Sequence, residues 1–263
     1  MTGFDDTHHV HLRPGVPADL APCVLRWEGF RDLHARPFTH LMPADTFVPL
    51  ILNFGDPYHI HAGHRPTDTG LHDTFVAGLT DRFTVVRSAG SIYCMQVDFT
   101  PLGARAFLHL PLNEIAGQVV SLQDLLGRAG RDLAERLAAC GSWPDRFALL
   151  EHFIRHRVAE GPAPSALVGQ AMRRIMTSSG RVRVGVLADS LDISREHLAR
   201  RFAADVGISP KAFARIIRFR HAEESLRQGR AAAVEIAIDA GYADQAHMSR
   251  EVRRMSGLPP CDL

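Results

Sequence analysis

A fourteen-residue segment occurs twice near the C-terminus, and this repeat restricts the fold more than any other feature of the sequence. The first copy runs from His197 to Pro210, and the second, fifty residues later, runs from His247 to Pro260. His, Arg, Gly and Pro are identical at four of the fourteen positions, and three further positions exchange one apolar residue for another. Each copy is typical of a helix that ends at a glycine and is stopped by a proline. The sequence therefore predicts two similar helices in one domain.

The charge of the chain is unevenly distributed, although its net value is only +1. Residues 1–164 contain 14 Lys and Arg against 18 Asp and Glu, a balance of −4, whereas residues 165–263 contain 16 against 11, a balance of +5. The segment Gly161-Pro-Ala-Pro164 separates these halves, because a helix does not continue through two closely spaced prolines. We predict two domains, residues 1–161 and 162–263, of which the basic one is the candidate for binding nucleic acid.

The sequence has no features of a membrane protein or of a disulfide-rich secreted protein. No apolar run approaches the roughly 20 residues needed to span a bilayer, and the N-terminus lacks a basic region followed by an apolar one. The four cysteines are far apart and form no Cys-x-x-Cys pair, so neither a zinc cluster nor a disulfide framework is predicted. We expect a cytoplasmic protein with no cofactor and no membrane partner.

Hydrophobic periodicity predicts an α+β protein whose two halves differ in architecture. Tyr93, Met95, Val97 and Phe99 alternate with more polar residues, as in a half-buried strand. The predicted strands cover residues 23–30, 46–54, 74–79, 83–87 and 91–99, and helices follow at 104–110, 130–140 and 145–159. The predicted C-terminal helices cover residues 165–177, 184–191, 194–205, 210–227, 233–240 and 244–255. We predict a small N-terminal β-barrel or sandwich domain with helices, followed by an all-α domain.

Each copy of the repeat, with the residues before it, predicts a helix-turn-helix unit. The turns fall at Asp192-Ile193, before the N-cap Ser194, and at Gly241-Tyr242, where glycine suits a left-handed residue. The inward-facing pairs are Leu198 with Phe202 and Met248 with Val252. The outward-facing residues are Arg195, Glu196, Ala199 and Arg200 in the first unit and Gln245, Ala246, Ser249 and Arg250 in the second. Such a helix can enter the major groove of DNA while its inner face stays attached to the domain.

The outward residues include side chains that recognise base edges. Arg200 and Arg250 could each bind guanine through two hydrogen bonds and Gln245 could pair with adenine, each contact discriminating by about 1–3 kcal/mol. The helix between the copies, Lys211–Arg227, would be about 25 Å long and would hold the two DNA-contacting helices apart. Candidate phosphate contacts are Arg215, Arg218, Arg220, Arg253 and Arg254. The alternative is a plain helical bundle with ordinary surface arginines.

The C-terminal hundred residues resemble the DNA-binding domain of the AraC/XylS family of bacterial transcription regulators. The motifs that carry the resemblance are Leu187-Ala188, Ser194-x-x-x-Leu198-x-Arg200-x-Phe202, Gly207-x-x-Pro210, Ile236-Ala237-x3-Gly241-Tyr242-x-Asp244-x-x-His247-Met248-x-Arg250 and Gly257-x-x-Pro260. The resemblance implies a double helix-turn-helix domain that binds promoter DNA, with RNA polymerase as a further candidate partner. It also implies base contacts at Glu196, Ala199 and Arg200, and at Gln245, Ala246 and Arg250.

Residues 1–160 resemble, more weakly, the N-terminal domain of a subgroup of these regulators. The similar segments are Phe47-Val-Pro-Leu-Ile-Leu-Asn-Phe-Gly-Asp-Pro57, Val76-Ala-Gly78 and Phe99-Thr-Pro-Leu-Gly-Ala104. Because effector domains of the family are often cupin-like barrels, the resemblance implies a similar fold here. A small-molecule sensor is the preferred role, with Trp27, Phe54 and Tyr93 as candidate pocket residues. Self-association into a homodimer, through a helix at Asp145–Ala159, is the other role considered, and the chain is otherwise a monomer.

A histidine-rich pattern supports a competing hypothesis. His59 and His61 would share one face of a strand, with His64 close by, and the N-terminal tail contains His8, His9 and His11. The rival is a metal-dependent cupin-type enzyme or a metal sensor fused to the DNA-binding domain. No Glu follows His61 at the spacing of the usual cupin ligand set, so we expect surface histidines, no metal and no catalysis.

Overall fold

Two antiparallel sheets lie face to face in the N-terminal half of this computed structural model, which describes residues 9–33, 36–62, 70–229 and 231–263. The strands are β1 (His9–Leu12), β2 (Val24–Asp32), β3 (Phe38–Met42), β4 (Val48–Asn53), β5 (Tyr58–Ala62), β6 (Leu71–His72), β7 (Phe75–Ala77), β8 (Thr84–Ser88), β9 (Ile92–Phe99) and β10 (Val119–Ser121). The larger sheet has the order β1-β2-β9-β4-β7-β10, and the smaller has the order β3-β8-β5-β6. Among the described residues the sheets share no strand. Of the predicted alternatives, the fold is thus an open sandwich and not a closed barrel.

Helices cover the outer face of the larger sheet and form the C-terminal half. They are α1 (Pro101–Leu108), α2 (Leu122–Leu126), α3 (Arg128–Ala139), α4 (Trp143–Glu160), α5 (Ala166–Thr177), α6 (Val184–Asp189), α7 (Arg195–Val206), α8 (Pro210–Gln228), α9 (Ala233–Asp239) and α10 (Gln245–Ser256). Short 3₁₀ turns follow α1 at Leu112–Glu114 and α10 at Pro260–Asp262. In the part of the chain that the structure describes, no helix is both long and apolar enough to cross a bilayer. The mixed α+β class predicted from periodicity is confirmed.

The alternation along β9 places its side chains in two different environments. Met95, Val97 and Phe99 are almost fully buried in the main core, and Phe99 stacks on Phe107 of α1 with the ring centroids 4.8 Å apart. Cys94, on the opposite face of the strand, points between the two sheets. The period-two prediction is therefore correct, but both faces of this strand are covered.

Polar side chains fix the starts of several helices. Thr100 accepts a hydrogen bond from the Gly103 amide at the start of α1, and the predicted cap Ser165 accepts one from the Val168 amide in α5. Residues 161–164 connect α4 to α5 without helix or strand. These caps satisfy backbone donors that the first helical turn leaves unpaired.

The main hydrophobic core continues from the sheets into the C-terminal helices. It joins Trp27, Phe107 and Leu150 to Leu198 and Phe202 of α7. A second core contains residues of α8, α9 and α10 together with Ala44 from the loop between β3 and β4. The C-terminal helices are therefore packed against the N-terminal half at two separate places.

Several short elements are not predicted by the sequence pattern. These are β1, β3, β6, β10, α2 and the two 3₁₀ turns. In β3 four of the five residues are exposed, so the strand shows no apolar alternation. It is nonetheless paired along its length with β8, from Phe38 opposite Ser88 to Met42 opposite Thr84. Backbone pairing with a neighbour, which leaves no mark in the strand's own sequence, places it in the sheet.

Candidate functional site

The first helix-turn-helix unit consists of α6, a tight turn and α7. Asp192 in the turn has a left-handed φ of 54°, and the Ser194 hydroxyl accepts a hydrogen bond from the His197 amide at 3.1 Å. Leu198 and Phe202 are 0% exposed, so α7 is fixed by its inner face. Gly207 ends the helix with a φ of 93°. The inward pair and the glycine stop predicted from sequence are confirmed.

The second unit repeats this construction in α9 and α10. Gly241 has a φ of 75°, as predicted for a left-handed turn residue, and the Asp244 carboxylate accepts a hydrogen bond from the His247 amide at 2.6 Å. Met248 and Val252 are 0% exposed. Gly257 ends α10 with a φ of 80°. The two units therefore share a left-handed turn, a side-chain N-cap, an inward apolar pair and a glycine stop.

Most of the outward residues predicted to contact bases are exposed at the starts of α7 and α10. The exposed residues are Arg195, Glu196, Arg200, Gln245, Ala246 and Arg250, whereas Ala199 and Ser249 are half-buried. A Cβ built on Gly185 would lie 2.5 Å from the Arg195 guanidinium, which therefore packs against α6. The Ser249 hydroxyl donates to the carbonyl of Gln245 in its own helix. Arg200 and Arg250 occupy equivalent exposed positions and are the best placed of this set to reach a ligand.

The arginines predicted to contact phosphates lie in different surroundings. Arg253 is exposed. The Arg218 guanidinium lies over the Tyr242 ring, 5.6 Å from its centroid. Arg220 pairs with Glu223 at 2.6 Å and with Asp45 at 3.5 Å.

The other two arginines, Arg215 and Arg254, converge on a carboxylate of the N-terminal half. Asp81 accepts hydrogen bonds at 2.9 Å from both, and Arg215 also pairs with Glu251 at 2.7 Å. We call these four residues the Asp81 cluster. Hydrogen bonding to Glu251 raises the pKa of the Arg215 guanidinium, so this arginine stays charged. The sequence gives no signal for Asp81, because it lies more than a hundred residues before its partners.

Backbone contacts accompany the Asp81 cluster. The Ala44 amide donates to the Met255 carbonyl at 2.8 Å, and the Phe83 amide donates to the Arg254 carbonyl at 3.3 Å. A Cβ built on Gly257 would lie 3.1 Å from side-chain atoms of Leu41 and Phe83. The C-terminal end of α10 thus rests on two loops of the N-terminal sheets.

A cavity of about 360 Å³ lies between the two sheets. Its walls are mainly apolar, with Phe30, Ile51 and Phe75 from the larger sheet and Phe38 and Ile60 from the smaller one. Polar side chains also reach it: His40, Asp45, Thr80, Arg82, Thr84 and Gln96. A cavity of this size and lining is typical of a site for a small, mainly apolar molecule.

The aromatic residues suggested by sequence as pocket residues do not line this cavity. Trp27 is 2% exposed and packs on Phe147 of α4, with ring centroids 6.0 Å apart. Phe54 and Tyr93 pack edge to face with each other, and both lie beside the guanidinium of Arg146. The three rings belong to the face of the larger sheet that the helices cover. Aromatic character does not distinguish the two faces of a strand, and the alternation of each strand decides which face meets the cavity.

Two polar groups inside the cavity interact with each other. The Tyr58 hydroxyl donates to Cys94 Sγ at 3.7 Å. Burial raises the pKa of Cys94 to about 11, and burial also raises the pKa of Tyr58. Both groups are therefore protonated at neutral pH and act as uncharged parts of the cavity wall.

The structure describes only some of the histidines on which the metal hypothesis depends. His59 is exposed on β5 and alternates with Tyr58 and Ile60, which line the cavity, so His59 and His61 share the opposite face as predicted. Within the described ranges, no group of three or more His, Cys, Asp or Glu side chains could hold a metal ion. His8 and His64 lie outside the described residues, so their part in the hypothesis stays a prediction.

Comparison with protein families gives two matches. A family described as "Helix-turn-helix domain" matches residues 187–263, and one described as "Domain of unknown function (DUF6597)" matches residues 17–121. An AraC-like transcription regulator of Streptomyces lividans is 38% identical over 79 residues, which are 30% of this chain and 26% of that protein. The chain thus spans about a quarter of the length of this curated relative.

Solved structures similar to the chain cover either a minor part of it or most of its length. The C-terminal domain of AraT, a response regulator from Geobacillus stearothermophilus, is 25% identical and covers 38% of this chain and 85% of that one, with a TM-score of 0.37. ToxT from Vibrio cholerae O395 is 10% identical and covers 90% of this chain and 95% of that one, with a TM-score of 0.49.

Proposed function

Residues 187–263 form an AraC-type helix-turn-helix domain, and from this premise we propose that the chain is a cytoplasmic, sequence-specific DNA-binding transcription regulator. Its domains are residues 1–161 and 162–263. The starts of α7 and α10 enter neighbouring segments of the major groove, with Arg200 and Arg250 as the principal base-reading residues. Promoter DNA is the partner, and RNA polymerase is the protein that such a regulator would act upon.

The observation that carries the proposal is the equivalence of the two outward helix faces. In both units an inner pair that is 0% exposed fixes the helix, while an arginine two residues after the first member of that pair is exposed. An arginine at such a position can bind guanine O6 and N7 together. The connecting helix α8 has 19 residues, so it separates the units by about 28 Å along its length. This is close to the roughly 34 Å repeat of the major groove, and bending of the DNA would accommodate the difference.

The cavity between the sheets supports an effector-binding role for the N-terminal domain. Its apolar walls favour a small molecule with a largely apolar body and a few hydrogen-bonding groups. Self-association is the other role proposed for this domain, with α4 as the candidate helix. Phe147, Leu150 and Ile154 of α4 are already buried inside the protomer, so a dimer would use its outer face. Sedimentation of the full chain distinguishes monomer from dimer.

Selection from randomised duplexes tests the DNA-binding proposal. We expect the purified chain to enrich a site with two short elements about one helical turn apart. Arg200→Ala should relax base preference in one element and Arg250→Ala in the other, by about 1–3 kcal/mol each. Arg253→Ala is the matched control. Because Arg253 is an exposed arginine of α10 that should contact phosphate and not bases, its removal should weaken binding to all sequences alike. Equal losses on selected and scrambled duplexes for Arg200→Ala and Arg250→Ala would contradict the assignment of base readers.

Paired substitutions on β5 test the cavity. The fluorescent apolar probe anilinonaphthalene sulfonate should bind the wild-type chain at one saturable site. Ile60→Trp, which fills the cavity, should abolish that binding, whereas His59→Trp on the outer face of the same strand should retain it. Equal probe binding by both variants would show that the cavity is not the site.

A further inference from the structure

The Asp81 cluster joins the second helix-turn-helix unit to the N-terminal sheets through charges that DNA would also use. Arg254 follows Arg250 by one turn of α10, and its guanidinium contacts both Asp81 oxygens at 2.9 Å. Arg215 reaches the same carboxylate from α8. A carboxylate and a DNA phosphate accept hydrogen bonds from arginine in the same way. Asp81 therefore competes with a phosphate for these donors.

The segments that hold the second unit also form part of the cavity wall. Residues 42–47 contribute wall residues and include Ala44 and Asp45, whose contacts are with Met255 and Arg220. Residues 77–82 contribute wall residues on both sides of Asp81, namely Thr80 and Arg82. A molecule in the cavity would touch the neighbours of each residue that contacts the second unit. Displacement of either segment would therefore change these ion pairs directly.

We propose that Asp81 is an autoinhibitory counterion of the second helix-turn-helix unit, released when the cavity-lining segments move. This inference rests on the proposed function. With the cluster closed, Arg254 and Arg215 are neutralised and a negative charge lies beside α10. With the cluster open, Arg254 is available to a phosphate, whereas Arg215 keeps its ion pair with Glu251. The first unit contains no residue of this cluster, so release of Asp81 regulates the second helix-turn-helix unit selectively.

Asp81→Asn tests the proposal, because it removes the charge with almost no change of shape. We expect the variant to bind a random-sequence duplex about tenfold more tightly than wild type at low salt. The slope of log affinity against log salt should become steeper by about 1, since one more phosphate is contacted. Asp73→Asn is the control, because Asp73 is an exposed aspartate between β6 and β7. It should change neither quantity.

Two further measurements separate this proposal from the proposed function. Hydrogen exchange of the Ala44 and Phe83 amides, which donate to α10, should accelerate in Asp81→Asn without DNA present. In an Arg254→Ala background, the affinity gain from Asp81→Asn should shrink, because one released donor is absent. Unchanged affinity in Asp81→Asn, with or without faster exchange, overturns autoinhibition. If the wild-type chain and every variant fail to bind any duplex, the proposed function fails, and autoinhibition fails with it. The exchange rates would still show whether Asp81 holds the two halves together.

Discussion

In the first helix-turn-helix unit, Leu198 and Phe202 belong to the same core as the N-terminal sheets, whereas Met248 and Val252 of the second unit pack in a separate core. The second core includes Ala44 from the N-terminal half. Asp81 and Asp45 form ion pairs around that contact. Partly exposed ion pairs contribute little stability and respond to small displacements, unlike buried apolar packing. From this difference we expect the first unit to stay fixed and the second unit to be the one that can be released.

Core truncations should produce the largest effects and should separate the two units. Phe202→Ala should lower the free energy of unfolding of the whole chain by about 3–5 kcal/mol, and Met248→Ala should lower that of the second unit by about 2–5 kcal/mol. Trp27 and Trp143, the two tryptophans, both pack with the main core and report its unfolding by fluorescence. Denaturant titration should therefore shift the tryptophan transition in Phe202→Ala, while Met248→Ala should lose helical circular dichroism before that transition. Coincident transitions in Met248→Ala would show that the two units unfold as one.

Substitutions in the two turns should have intermediate effects of opposite sign. Gly241→Ala places a Cβ on a residue with a φ of 75°, which should destabilise the second unit by about 1–2 kcal/mol. Asp192 already occupies the left-handed region in the first unit, so Asp192→Gly should be neutral or stabilising by up to about 1 kcal/mol. Thermal unfolding of both variants measures these effects. A loss of stability in Asp192→Gly as large as that in Gly241→Ala would mean that the turns are not equivalent.

The smallest expected effect concerns Tyr242, which stands where the first unit has Ile193 in the turn. The Tyr242 hydroxyl is buried and has no hydrogen-bond partner among the described residues. Tyr242→Phe should therefore be neutral or should stabilise the second unit by up to about 1 kcal/mol at neutral pH. A clear loss of stability in this variant would instead reveal a partner for the hydroxyl.

The same residue makes the second unit sensitive to alkaline pH. Burial raises the pKa of Tyr242 from 10.0 to about 12, so the folded state keeps the proton more tightly than the unfolded state. The resulting stability is complete below pH 10 and is lost as the pH rises from 10 to about 12. Helical circular dichroism of wild type and Tyr242→Phe across this range measures it. The wild-type chain should lose helix first, and identical profiles would contradict the assignment.

The sequence predicted local structure well wherever a side-chain pattern repeats with the period of the element. The helix-turn-helix units, their inward pairs and their glycine stops follow from spacing alone. The strand β9 follows from alternation, and β2 and β4 follow from short runs bounded by Gly, Pro or Asp. The smaller sheet was less predictable, because β3 and β6 are held by backbone pairing and expose much of their surface. The candidate pocket residues Trp27, Phe54 and Tyr93 were placed on a strand or its end correctly but lie on the helix-covered face.

The amino-acid sequence by itself determined the two repeated helix-turn-helix units, since helix periodicity, N-caps and left-handed glycines act over a few neighbouring residues. Only the tertiary structure decided where the cavity lies and which arginines are neutralised. The cavity and the ion pairs both depend on residues far apart in the chain. Asp81 and Arg254, for example, come into contact because the sheets pack against α8 and α10. An ion pair between distant residues leaves no pattern in either local segment, because its geometry exists only after the chain has folded.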